Sequence, residues 1–266
     1  MRPGGQDGPA GRDLWPVAAV DDGQAGTLIA RDVTRHTDVV TAGDTPSVAD
    51  ASGADPADGP ADPSGVPLVP MDDTCGIVLA GGRASRFGGD KLSAREGSRS
   101  LLALAVEALS AVCEEVVVAV AAGYRPPPLP PAARLVTDPE PYRGPVMGLL
   151  SGAMATDRRL LVVAGGDMPA LVPDVLRQLL AAVATTHQAA VLGLGPECAV
   201  QPLPLALRRS TVLERFWDPG SSGGRSLLWL LRSLDCFVIP EDAWRIADPL
   251  GMTLRDVDRP EDLSGA

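Results

Sequence analysis

Residues 76–91, Gly-Ile-Val-Leu-Ala-Gly-Gly-Arg-Ala-Ser-Arg-Phe-Gly-Gly-Asp-Lys, constrain this chain more than any other stretch. Ile77 to Ala80 form an apolar run short enough for a buried strand, and Gly81-Gly82 break it at once. A second pair, Gly88-Gly89, leads into Asp90-Lys91. Glycines let a backbone turn tightly, so that several N–H groups converge on one anion. Arg83, Arg86 and Lys91 bring positive charge to the same loop. A plain turn between strand and helix has a similar composition, but a loop this cationic favours phosphate. It is not the common P-loop, because no Gly-Lys-Ser/Thr opens a helix. Nor is it the dinucleotide fingerprint, because Gly-x-Gly-x-x-Gly is missing after the strand.

From residue 76 onward the chain alternates short apolar runs with helical periodicity. Strands are expected at Ile77–Ala80, Glu115–Ala121, Arg134–Thr137, Leu160–Ala164, Ala189–Leu194, Cys236–Ile239 and Thr253–Val257. The spacing predicts helices over 99–112, from Val146 to Ala155, from Pro173 to Ala184, and over 208–217 and 225–234. Glu241–Ala247 suits a helical turn, and a last helix starts at Pro260. The proline run at 126–131 must be an extended connector. Such alternation implies one α/β domain with a mostly parallel sheet, in which ligands gather at the carboxyl ends of strands.

Residues 1–70 differ in kind. They hold nine prolines, eleven Asp, four Arg and no Lys or Glu, so they carry −7 of the net charge of −11. Without an apolar period they cannot offset the entropy of ordering, and a disordered acidic segment is expected. Met71 is a candidate translation start that would leave residues 1–70 out of the native protein. The acidic balance argues against a nucleic-acid partner. No apolar run approaches the ~18 residues of a membrane span, and no leader is evident, so a cytoplasmic protein with no membrane partner is expected. Cys75, Cys113, Cys198 and Cys236 lack Cys-x-x-Cys spacing and are expected to stay reduced.

Three strand ends carry functional-looking groups: Gly81-Gly82, Asp138 and Asp167. Asp167, after the most apolar strand, suits Mg²⁺, which needs only one or two protein carboxylates beside phosphate oxygens; capping of the next helix is the bland alternative. Asp258 is the second metal candidate, equally suited to capping before Pro260. Asp138 suits a ribose or acceptor hydroxyl, or a turn before Pro139. His187 and His36 offer no good catalytic base, and no Gly-x-Ser-x-Gly elbow is present. Phosphoryl or nucleotidyl transfer is compatible with that absence, because it rests on positioning and charge neutralisation.

These motifs, taken in order, resemble the molybdenum cofactor guanylyltransferases, which attach GMP to molybdopterin. The likeness runs from Leu79-Ala80-Gly81-Gly82 through Arg86 to Asp90-Lys91, then to Asp138 with Gly144-Pro145-Val146-Met147-Gly148. It continues at Asp167-Met168-Pro169 and ends at Asp256-Val257-Asp258-Arg259-Pro260-Glu261-Asp262-Leu263. The family often has Asn where Asp256 and Asp258 stand, and Leu-Ala-Gly where Val146-Met147-Gly148 stands. The paired Gly81-Gly82 is closer to the guanylyl branch than to cytidylyl relatives.

The resemblance implies a Rossmann-like, three-layer α/β nucleotidyltransferase fold over residues 71–266. It implies GTP as donor, molybdopterin as acceptor, Mg²⁺ as cofactor and pyrophosphate as product. Leu79, Ala80, Gly81, Gly82, Lys91, Asp138, Gly144, Pro145 and Asp167 would bind nucleotide. Lys91 and Arg86 would be catalytic, and Asp167 with Asp258 would hold metal. Transient contact with molybdoenzymes or other cofactor-biosynthesis proteins is a further expectation. The rival readings are a CTP-dependent enzyme of the same fold, an enzyme using another phosphate acceptor, and a non-catalytic nucleotide-binding module.

Overall fold

The computed structural model describes residues 69–81, 87, 89–138, 144–216 and 226–263. The expectations for residues 1–68, and for Gly82, Arg83 and Arg86, lie outside the described residues.

The strands are β1 (Thr74–Leu79), β2 (Arg95–Glu96), β3 (Arg99–Ser100), β4 (Glu115–Ala121), β5 (Ala133–Asp138), β6 (Leu160–Gly165), β7 (Ala189–Leu194), β8 (Ala199–Arg208) and β9 (Cys236–Ile239). The helices are α1 (Leu101–Ser110), α2 (Pro145–Met154), α3 (Pro173–Thr185), α4 (Arg209–Phe216), α5 (Leu227–Leu231) and α6 (Glu241–Trp244). Seven strands form one sheet in the order β5-β4-β1-β6-β8-β7-β9, with β2 and β3 in a separate hairpin. Every neighbouring pair in the large sheet is parallel except the two that involve β8.

Burial explains the apolar runs. All six residues of β6 are buried, as expected of a strand covered on both faces. On one face α1, α3 and Trp244 pack against Val78, Val118, Val162 and Ala190. On the other, α2, α4 and α5 pack against Ile77, Val117, Val163 and Val191. The result is the expected three layers. Ser100 starts α1 by accepting from Ala103 N at 3.2 Å. Pro145 and Pro173 occupy the first turns of α2 and α3, where a missing N–H costs nothing.

One expected strand fails and one strand that was not expected appears. Thr253–Val257 is not a strand: Met252–Leu254 is a 3₁₀ turn. Asp248 draws off its backbone donors, accepting from Met252 N at 3.0 Å and Thr253 N at 2.7 Å. Conversely, β8 was not expected, because Pro202 and Pro204 discourage a strand. The sheet accepts them by shifting register: Leu192 pairs with Gln201 but Val191 with Leu205, so 202–204 bulge out of the ladder. The proline run at 126–131 is non-regular, as expected.

From β1 the chain steps outward to β4 and β5, then crosses back to place β6 on the other side of β1. This switch of direction opens a crevice at the carboxyl ends of β1 and β6, where open α/β sheets take their ligands.

Candidate active site

The end of β1 is tied to both neighbours by backbone. Ala80 N donates to Ala119 O at 2.8 Å, and Gly166 N donates to Leu79 O at 3.1 Å. Leu79 and Gly165 are register partners, so Asp167 emerges beside the start of the glycine loop. A Cβ on Gly165 would stand 2.3 Å from Asp167 Oδ1. The missing side chain is what lets this carboxylate fold back over the strand end.

Lys91 opens a 3₁₀ turn, Lys91–Ser93, capped by Asp90. Its Nζ lies 2.8 Å from Asp167 Oδ2 and 2.7 Å from Asp258 Oδ1. The lysine side chain is only 12% exposed, against 32% for Asp167 and 57% for Asp258. Burial alone would lower the Lys91 pKa, but the hydrogen bonds and charges of Asp167 and Asp258 outweigh it and hold the ammonium above its usual range.

Asp258 is delivered by the tail of the chain. Val257, fully buried, donates its N–H to Asp167 O at 3.0 Å. Asp262 Oδ2 accepts from Asp258 N at 3.0 Å and Arg259 N at 2.8 Å, which fixes the backbone that carries the carboxylate. Arg255 pairs with Glu96 and so ties this segment to the β2–β3 hairpin just beyond Lys91. Asp256 also senses the cluster: burial, then the charges of Asp258 and Asp167, push its carboxyl above the usual range, against the pull of Lys91.

The remaining expected residues line the β4 side of the same edge. A Cβ on Gly81 would lie 3.7 Å from Ala121 N, and Ala121 is the register partner of the buried Asp138. Gly144, at φ +91°, precedes α2. Gly148 of α2 faces Leu79 at the strand end, and Gly152 faces Ile77 in the strand middle. The helix therefore runs antiparallel to β1 and aims its N-terminus, with Gly144 and Pro145, at the carboxyl edge. Helix N-termini favour negative charge.

The structure thus brings Leu79, Lys91, Asp167 and Asp258 together, with Ala80, Gly81, Asp138, Gly144 and Pro145 along one edge. Gly82 and Arg86 lie outside the described residues. Among the described residues no three His, Cys, Asp or Glu side chains form a metal cage. Mg²⁺ does not need one. Asp167 and Asp258 offer oxygen donors on the same ammonium, and an oxygen-only pair suits a cation that fills its other positions with water and phosphate.

Sequence spacing missed Asp90, Tyr124 and Asp256 as neighbours of the site. Asp90 and Asp256 stand in recognisable motifs, but nothing in the sequence around Tyr124 points to the site. All four cysteines are free. Among the described residues no helix is long and apolar enough to cross a membrane.

The chain is similar to several known proteins. The family model described as "MobA-like NTP transferase domain" matches residues 76–236. The "probable molybdenum cofactor guanylyltransferase" of Chloroflexus aggregans is 34% identical over 192 residues, which is 71% of this chain and 90% of that protein. The molybdenum cofactor guanylyltransferase of Xanthomonas euvesicatoria is 35% identical over 60% of this chain and 79% of its own length. In fold, the crystal structure of molybdopterin-guanine dinucleotide biosynthesis protein A from Archaeoglobus fulgidus superposes with a TM-score of 0.55. It is 20% identical and covers 71% of this chain and 94% of its own.

Proposed function

Because the chain belongs to the MobA-like NTP transferase domain family, we propose that it transfers GMP from GTP to molybdopterin and releases pyrophosphate. The observation that carries this reading is the junction of Lys91 with Asp167 and Asp258 at the carboxyl ends of β1 and β6. It joins a phosphate-neutralising cation to a carboxylate pair at the crevice between the carboxyl ends of β1 and β6.

In this mechanism an oxygen of the acceptor phosphate attacks the α-phosphorus of GTP in line. A new P–O bond forms to the acceptor as the bond to the β-phosphate oxygen breaks, and the electron pair leaves with pyrophosphate. The acceptor phosphate is already ionised near neutral pH, so no side chain has to remove a proton. That agrees with the lack of a histidine among the residues gathered here. Lys91 neutralises charge on the triphosphate, a contribution that grows as charge moves to the leaving group. The Gly81 backbone and the α2 N-terminus approach the nucleotide, with Asp138 set to accept from a hydroxyl. Arg86, in the glycine loop, is assigned a second neutralising charge. Asp167 and Asp258 are the residues that would hold Mg²⁺, which would offset charge between phosphate oxygens.

The test is a thermal-shift panel on the full chain with GTP, CTP, ATP and UTP, with and without Mg²⁺. A ligand that binds only the folded state at a hundred times its Kd adds about 2.7 kcal/mol of stability. A magnesium-dependent shift with GTP alone is expected. A shift with CTP alone would keep the fold and mechanism and overturn the guanylyl assignment.

A further inference from the structure

Tyr124 takes no part in the chemistry above, yet its hydroxyl is committed to the residue beside Lys91. It sits just past β4, in a turn closed by Tyr124 N donating to Ala121 O at 3.1 Å, with Gly123 at φ +82°. The ring packs against the same core as Leu92. From there Tyr124 Oη donates to Asp90 Oδ1 at 2.6 Å. The same carboxylate accepts from Leu92 N at 3.2 Å and from Ser93 Oγ, and it is the cap of the turn whose first residue is Lys91.

Asp90 is exposed, and an exposed carboxylate that only caps a short turn is free to rotate into water. A phenol held in the turn that follows β4 removes that freedom, and an O–H to carboxylate bond is among the stronger ones. We propose that Tyr124 is a positioning residue for Lys91, acting through Asp90 to fix the turn from which the ammonium meets the triphosphate. The proposal rests on the nucleotidyltransferase reading. Its protonation fits the role. Burial, then the hydrogen bond and charge of Asp90, raise the Tyr124 pKa, so the hydroxyl remains a donor wherever the enzyme works. Burial opposes ionisation of Asp90, but the hydrogen bonds from Ser93 and Tyr124 prevail and keep its carboxyl below the usual range. Small misplacements of a charge-neutralising group are costly in transfer reactions.

The experiment is a double-mutant cycle on the full chain with Tyr124→Phe, Asp90→Ala and the pair, reading affinity for GTP with Mg²⁺ and the melting temperature. Phenylalanine keeps the packing, so Tyr124→Phe is expected to weaken GTP binding roughly ten-fold with little change in melting. If Tyr124 acts through Asp90, the double variant binds GTP no worse than Asp90→Ala alone. Wild-type affinity in Tyr124→Phe, or additive losses in the double variant, would overturn the proposal and leave the transferase reading standing. A wild-type chain that binds no nucleotide would sink the transferase reading and this proposal with it.

Discussion

Lys91 Nζ and Asp258 Oδ1 stand 2.7 Å apart although 167 positions separate them in the chain. This contact joins the glycine loop at the start of the domain to the segment that ends it, with Asp167 completing the bridge at 2.8 Å. Lys91→Met should leave these carboxylates, and Asp256 nearby, without their shared cation. Loss of transfer by about a hundred-fold or more is expected, the scale seen when a donor to a developing charge is removed. The variant should also melt lower, and millimolar Mg²⁺ without nucleotide should restore more of its stability than it adds to wild type. Melting curves of both proteins with and without the metal check this.

Asp248 is 3% exposed and holds the turn that brings Thr253 to Val172 N at 3.1 Å. Burial opposes its ionisation, but hydrogen bonds from Thr253 and Met252 win and hold its carboxyl below the usual carboxylate range. A depressed carboxyl contributes stability that is present above the unfolded pKa and lost as pH falls through the folded one. Asp248→Ala should cost about 1–3 kcal/mol at pH 7, because buried N–H groups lose their acceptor. Its gap from wild type should narrow below about pH 4. Urea unfolding at both pH values measures this.

Gly152 is where α2 meets the sheet. A Cβ there would lie 2.8 Å from Ile77 Cγ2 and 2.9 Å from Cδ1. Alanine gains roughly 0.5–1 kcal/mol of helix preference, but overpacking a core costs about 1–3 kcal/mol. Gly152→Ala should therefore destabilise the fold by about 1 kcal/mol and weaken nucleotide binding, because α2 carries Gly144 and Pro145 to the site. Denaturation and GTP titration of this variant decide both points.

The thiols should divide unevenly. Burial raises Cys75 and Cys236 to about 12 and pushes Cys113 higher still. Cys198 is half-buried in the β7–β8 hairpin and less strongly shifted. In a thiol-reagent assay near pH 8, Cys198 should react first, and the other three only as the protein unfolds. Peptide mapping of the labelled protein identifies the site.

The fold was legible in the sequence where burial or strand position dictates the residue. The runs in β1, β4 and β6 are apolar because both faces are covered, and Gly81, Asp138 and Asp167 stood out as strand ends. It was hidden where distant segments decide. Pro202 and Pro204 look like breakers until the register shift against β7 is known. Thr253–Val257 looks like a strand until Asp248 takes its donors. Tyr124 reaches Asp90 across 34 positions, a contact that no spacing rule anticipates.

Pyrophosphate release by the full chain, supplied with molybdopterin, Mg²⁺ and either GTP or CTP, tests the central claim most directly. The expected result is release with GTP, in step with GMP joined to the acceptor, and its near-abolition in Lys91→Met. No release with either nucleotide, or full turnover in the Lys91→Met protein, would contradict it.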